Sequence, residues 1–312
     1  MSLVASAPPT ALGWRDSDLV YAFRRSPVAQ VSALVTLLLL VAALGARWIA
    51  PFDVTDPSIA NVVDARLSPG GSGLVGERYW LGTDPQGRDM ISAMIFGLRT
   101  SLFVGLGSVA LAAVVGITLG LVAGYLGGFV DSLVMRLADI QLSFPAILIA
   151  LLVDGIARTV MDREWHDVTA VPILIVAIAA SYWVQYARTV RGVVLIERGK
   201  DYVQAATVTG VSTPRILGGH ILPNVAGPVL VIATINLALA ILTEATLSFL
   251  GVGVPPTQPS LGSLVRIGNE YLFSGDWWIS VLPGLLLVVL SLAVNLLGDW
   301  LRDTLNPRLG IL

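Results

Sequence analysis

The stretch TSLFVGLGSVALAAVVGITLGLVAGYLGGFV, Thr100 to Val130, holds 31 consecutive residues without a charge. A helix needs about 20 apolar residues to cross the hydrocarbon of a bilayer, so this interval has room for a full span and a glycine-rich exit. Working outward, the same criterion finds Val28 to Ala46 (19 residues), Val168 to Ala187 (20) and Trp277 to Gly298 (22). Ile216 to Thr243 gives 28 more, and Pro223 near its start shifts the expected span to about Val225 to Leu250. Composition agrees: of 312 residues 13% are charged and 55% hydrophobic, far from the roughly 25% charged of soluble chains. These numbers predict an all-α, polytopic transmembrane helix bundle.

A sixth span is expected from about Leu133 to Val153, although only Ile140 to Val153 is free of charge. Arg136 and Asp139 would then share one helix face and pair near the boundary. Six transmembrane helices put both termini on one side. With that side cytoplasmic, it collects Arg15, Arg24, Arg25, Arg136, Arg188, Arg191, Arg198, Lys200, Arg215, Arg302 and Arg308, 11 of the 19 basic residues. Trp48, Trp277 and Trp278 are expected at outer interfaces and Trp300 at the inner one. The first apolar run follows 27 polar or irregular residues, so it is expected to be a retained helix rather than a cleaved signal.

The net charge of −2 advertises no nucleic-acid surface, and the absence of cysteine excludes disulfides, thiolate metal sites and cysteine nucleophiles. Only His166 and His220 could supply imidazole, and both are expected in solvated loops. An intramembrane enzyme is disfavoured, since no Gly-x-Ser-x-Gly or His-Glu-x-x-His occurs and neither histidine falls in an expected span. Nor is there a phosphate loop: Gly199-Lys200 is followed by Asp201, and position 194 is Val.

The expected organisation is a cytoplasmic segment 1–27, a first transmembrane helix 28–50, an external loop 51–99 and a five-helix core 100–312. Met90, Ile91, Met94, Ile95 and Leu98 have the stripe of a helix lying along the membrane surface within that external loop. The cytoplasmic loop 189–224 is large enough to receive a partner. Asp201 to Thr209 can be helical, Gly210 suits a left-handed cap, and Ser212 with Thr213-Pro214 can open a second short helix that runs to Pro223. Ala205 and Ala206 would give the first helix a small face for close approach.

At these residues the sequence resembles the inner-membrane permease subunits of type I ABC importers. Their cytoplasmic signature is Glu-Ala-Ala, three residues, Gly, nine residues, Ile, one residue, Leu-Pro. Here Gln204-Ala205-Ala206, Gly210 and Leu222-Pro223 stand at that spacing, with Gln204 in place of Glu and His220 in place of Ile. The likeness is closest to the dipeptide, oligopeptide and nickel branch. Leu81-Gly82-Thr83-Asp84 with Gly87-Arg88-Asp89, Gly97, Arg99 and Ser101-Leu102 is similar to its pre-core segment, and Gly124-Tyr125-Leu126-Gly127-Gly128 with Asp131 to its second-helix exit. Leu247-Ser248-Phe249-Leu250-Gly251, Gly253, Pro255-Pro256, Pro259 and Gly262 resemble its last outer loop. Gly298-Asp299, Leu301-Arg302-Asp303 and Leu305-Asn306-Pro307 resemble its C-terminal motif, with Asn306 where Asp is usual.

The resemblance implies the second, C-type permease of a pair in the bacterial inner membrane. Its implied partners are a non-identical permease, two ABC ATPase subunits, an external substrate-binding protein and membrane lipid, but no nucleic acid. It implies no catalytic residue, no metal and no cofactor on this chain, with ATP and magnesium held by the ATPases. Tyr202, Gln204, Ala205, Ala206, Gly210, Leu222 and Pro223 would form the ATPase-docking coupling site, with Ala205, Ala206 and Gly210 as the tightest contacts. Peptides are the expected cargo, nickel or another small solute the alternative, and a stand-alone secondary transporter the rival class.

Three further groups have a functional and a structural reading. Glu244, a carboxylate inside an expected span, could line the path or an outer gate, or be hydrogen-bonded at the outer surface or to the partner permease. Asn236 is a path candidate, and Asn236 and Asn295 are expected to bond between helices. Gly116, Gly120 and Gly124 recur every fourth residue and create a flat face, for close packing or, less simply, a hinge. Arg302 and Asp303 read as a solvated helix end.

Overall fold

The computed structural model describes residues 18–54, 62–255 and 258–305. Arg15, Pro256, Asn306, Pro307, Arg308 and the side chain of His166 lie outside the described residues. In chain order the elements are α1 (Asp18–Arg25), α2 (Pro27–Leu44), α3 (Ala46–Ile49), β1 (Gly71–Ser72), β2 (Arg78–Tyr79), α4 (Met90–Leu126), α5 (Gly128–Leu142) and α6 (Ala146–Val160). There follow α7 (Arg163–Glu197), α8 (Asp201–Val208), α9 (Thr213–Ile216), a π-helical turn Leu217–Ile221, α10 (Leu222–Phe249), α11 (Leu261–Tyr271) and α12 (Trp278–Leu305).

Among the described residues five helices are long and apolar enough to cross a membrane, and a bent pair supplies a sixth if counted as one span. That pair, α5 and α6, corrects the single helix expected over 133–153. The chain breaks at Ser143-Phe144-Pro145 and turns by 95°, because proline removes a backbone donor and restricts the residue before it. Asp139 pairs with Arg188 of α7 rather than with Arg136. A second correction concerns Met90 to Leu98, which are the opening turns of α4 and not a separate surface helix. Arg99 does not interrupt α4, because its side chain is exposed, whereas Met90 and Leu98 are buried. Asp89 starts this helix by accepting from the Ser92 amide at 2.8 Å, and Gly127 and Gly128, at φ +67° and +56°, end it.

The centre of the bundle is α4 against α7, running parallel. A Cβ on Gly116 would lie 2.4 Å from the Trp183 carbonyl oxygen, one on Gly120 2.6 Å from that of Ala187, and one on Gly124 2.8 Å from Val194 Cβ. The four-residue glycine spacing thus lies on the α7 backbone, where close approach yields dispersion contacts that larger residues would forbid. Helix α10 runs antiparallel to α4, and α12 packs on α10, α11 and α2. The Phe23 and Trp300 rings meet edge to face at 5.4 Å, so α1 and the end of α12 lie at one end of the bundle, together with α8. At the opposite end sit the β hairpin, α3 and α11.

Trp278 is not an interfacial anchor. It is 6% exposed and donates its indole N–H to the Thr83 carbonyl at 3.2 Å. Trp48 and Trp277 are exposed, and Trp300 is half-buried against Phe23. Asn295 is exposed and so is not an inter-helix partner within this chain.

Candidate functional site

Three residues separate the end of α7 from the start of α8, whose position follows from a few polar contacts. Glu197, at the end of α7, accepts from Lys200 Nζ at 2.7 Å and from the Tyr202 hydroxyl. Asn224, in the first turn of α10, donates to the same hydroxyl at 3.2 Å and to the His220 carbonyl at 2.9 Å. Tyr202 therefore ties α8 to both long helices that lead into it. The Glu197 hydrogen bond holds the Tyr202 phenol above the ordinary tyrosine range, with burial adding to the effect. His220 stands edge-on to Tyr202 at 6.3 Å, exposed to solvent as expected.

The helix ends in a complete Schellman cap. The Gly210 amide donates to the Thr207 carbonyl at 3.1 Å and the Val211 amide to that of Ala206 at 3.0 Å. Gly210 has φ +78°, and nothing lies within 4 Å of the position its Cβ would take. Its place is fixed by backbone conformation, so within this chain it is not a close-contact residue.

Ala205 and Ala206 do not share one outward face. Successive residues on a helix are about 100° apart; Ala205 is exposed, whereas Ala206 is half-buried on the core beside buried Val203. The outward surface of α8 carries Gln204, Ala205 and Val208, the last 87% exposed. Gln204 turns its amide back onto the Gly199 carbonyl at 3.1 Å. Leu222 and Pro223 are exposed at the start of α10. The second loop helix does not stop at Pro223, which lies two residues after a π-helical turn. Instead α9 continues through the π-helical Leu217–Ile221 into α10, making one helix of membrane length.

Sequence reading missed how the site is braced. Arg198 donates to the Gly124 carbonyl at 3.0 Å and to that of Tyr125 at 3.3 Å, satisfying the last turn of α4. Arg191 grips Asp131 of α5 with two hydrogen bonds, one of 2.7 Å. These partners are 60 to 74 residues apart, and no local spacing announces them. Val208 did leave a signal: it is an apolar residue facing outward on a polar loop helix.

Glu244 sits elsewhere, toward the opposite end. It is fully buried, accepting from Ser101 Oγ of α4 at 2.6 Å and from Ser248 Oγ at 2.7 Å. Ser101 Oγ also receives the Leu261 amide at 3.3 Å, so the carboxylate joins α10 and α4 to the start of α11. The surface placement considered for it is corrected: its partners are interior hydroxyls of this chain. Asn236 is also fully buried, and its amide faces the buried Tyr186 hydroxyl across the α10–α7 contact.

The arrangement is a small exposed helix rigidly linked to two long apolar ones. Residues 116–311 match the family model described as binding-protein-dependent transport system inner membrane component. The chain belongs to that family. Residues 14–69 match the N-terminal transmembrane domain of oligopeptide transport permease C, which assigns this permease to the C type. It is 38% identical over 305 residues to the di/tripeptide transport system permease protein DppC of Pseudomonas aeruginosa, covering 94% of this chain and 95% of the relative. It is 32% identical over 296 residues to the oligopeptide transport system permease protein OppC of Bacillus subtilis, covering 95% and 90%. Its fold is similar to a chain of the inward-facing MetNI methionine ABC transporter, with TM-score 0.53, 19% identity, and coverage of 70% of this chain and 98% of that one.

Proposed function

We propose that this permease is a non-catalytic subunit of an ATP-driven, binding-protein-dependent importer of di- or oligopeptides. The observation that carries the reading is the exposed α8 surface, fastened through Tyr202 to α7 and α10. Two ATPase subunits dock on such surfaces, one on this chain and one on a second, non-identical permease, and an external binding protein delivers the peptide at the opposite end. The named relatives, transporters of di/tripeptides and oligopeptides, support the cargo. The end carrying α8 is cytoplasmic, as are both termini, because Arg24, Arg25, Arg188, Arg191, Arg198, Lys200, Arg215 and Arg302 gather there. The chain holds no cofactor of its own; ATP and magnesium belong to the ATPases.

In this reading, closure of the ATPases on ATP moves α8 as a rigid body. The Tyr202 link and the unbroken path through Leu217–Ile221 then displace α7 and α10, opening the far end of the path. Ala205, Val208 and the partly turned-back Gln204 make the contact; Ala206 and Gly210 give α8 its shape. Reconstitution of the four-subunit complex tests the reading. Labelled dipeptide should enter vesicles only with ATP and the binding protein present. Ion-gradient-driven flux through this chain alone would instead make it a stand-alone secondary transporter, and ATP-driven uptake of nickel without peptide would reassign the cargo.

A further inference from the structure

At the end opposite α8 a cleft of about 750 Å³ opens between the Pro85-Gln86 turn, the end of α6, the loop after α10, and α11. Its size falls within the range of small-ligand sites. Two groups of opposite charge, Arg266 and Glu270, line it from one face of α11, and both are exposed. Among the described residues neither side chain makes an ion pair or a hydrogen bond, although each is one helical turn from the other. The guanidinium of Arg266 lies over Gly251, where an added Cβ would be 2.9 Å from it, and Gly251 has φ +81°. Glycine there keeps the arginine head free at the cleft wall. On another wall Arg158 is already held by Asp154 at 2.6 Å. The unpaired charges are therefore the two on α11.

We propose that this cleft is a transient site for a zwitterion, in which Arg266 holds the terminal carboxylate and Glu270 the terminal ammonium of a short peptide. The proposal rests on the peptide-importer reading and names what part of the peptide the permease itself recognises. Residues four apart on a helix have Cβ atoms about 5–6 Å apart, and an extended chain advances about 3.3–3.6 Å per residue. The charged ends of a dipeptide lie about two residues of extended chain apart, so one dipeptide can reach both side chains. Arginine suits a carboxylate because it offers two parallel donors. Both groups keep much of their hydration, so the site is weak, as a site met in passing has to be if the ligand is to leave it.

The test uses the assembled importer in lipid nanodiscs without its binding protein, and saturation-transfer NMR of L-alanyl-L-alanine as probe. The wild-type complex should transfer saturation to this dipeptide, and about three- to five-fold less to N-acetyl-alanyl-alanine amide, which has neither terminal charge. Arg266→Gln and Glu270→Gln should each reduce transfer to the free dipeptide by a similar factor. Equal signals from free and capped peptides, or undiminished signals in both variants, would overturn the proposal. So would the absence of any signal from a wild-type complex that imports the dipeptide once binding protein and ATP are added. A complex that imports no peptide at all would overturn the importer's peptide assignment, and this site with it.

Discussion

The two ends of the bundle are held in different ways. At the end with α11, one polar knot is buried and fully engaged: Asp84 accepts from the Gln86 and Arg88 amides at 2.8 and 3.0 Å and from Arg88 Nε at 2.7 Å, with no exposure of the carboxylate. Glycines there meet backbone directly, Gly262 on Ala245 and Gly268 on Ser280, so α11 is wedged against α10 and α12. At the end with α8, the polar contacts are partly exposed and made by long side chains such as Arg198, Lys200 and Tyr202. Free energies of local opening follow buried contacts, so on the proposed function the α11 end is expected to serve as the firmer abutment and the exposed α8 surface as the lever.

The strongest way to break the comparison is to loosen the abutment. Asp84→Ala removes three accepted hydrogen bonds and the partner that Arg88 holds in the interior, and should lower stability by about 3–5 kcal/mol. Thermal unfolding of the purified complex measures this; an unchanged midpoint would mean that the buried knot does not support that end. A smaller effect should follow at the lever. Gly210→Val forces a branched residue to φ +78°, at a cost of about 1–2 kcal/mol. Hydrogen exchange should accelerate at the amides of 201–209 and remain unchanged at 82–92, whereas a uniform change would deny the lever its independence.

Much of the fold was legible because charges are expensive in hydrocarbon, and their absence over long intervals marks spans without reference to side-chain detail. The same criterion misplaced two boundaries. Arg99 looked like the edge of a span, but an arginine on the exposed side of a helix interrupts nothing. The span at 133–153 was read through Pro145, whose backbone restriction makes the 95° break. Trp278 shows that an aromatic at the end of a span is not thereby interfacial, since its N–H is used on Thr83 inside the protein.

Helix α8 was legible as a spacing, but its orientation was not. The adjacent pair Ala205-Ala206 suggested one small face, and only the packing of Val203 and Ala206 on the core shows which residues face out. The braces from Glu197, Arg191 and Arg198 were hidden because their partners lie on other helices or across a break. The cleft at the far end was equally hidden, since its walls come from residues 85–86, 158–161, 251–255 and 263–271. Arg266 and Glu270, read along the chain, look like any solvated helical pair.

The absence of native cysteine allows the central claim to be tested at single introduced thiols. Val208→Cys on the outer surface of α8 and Glu77→Cys in the hairpin at the other end can each carry the same short photo-cross-linker in the assembled importer. The account predicts capture of an ATPase subunit from position 208 and none from position 77. An intact, ATP-hydrolysing complex that yields no ATPase adduct from 208, or yields it from 77, would contradict it.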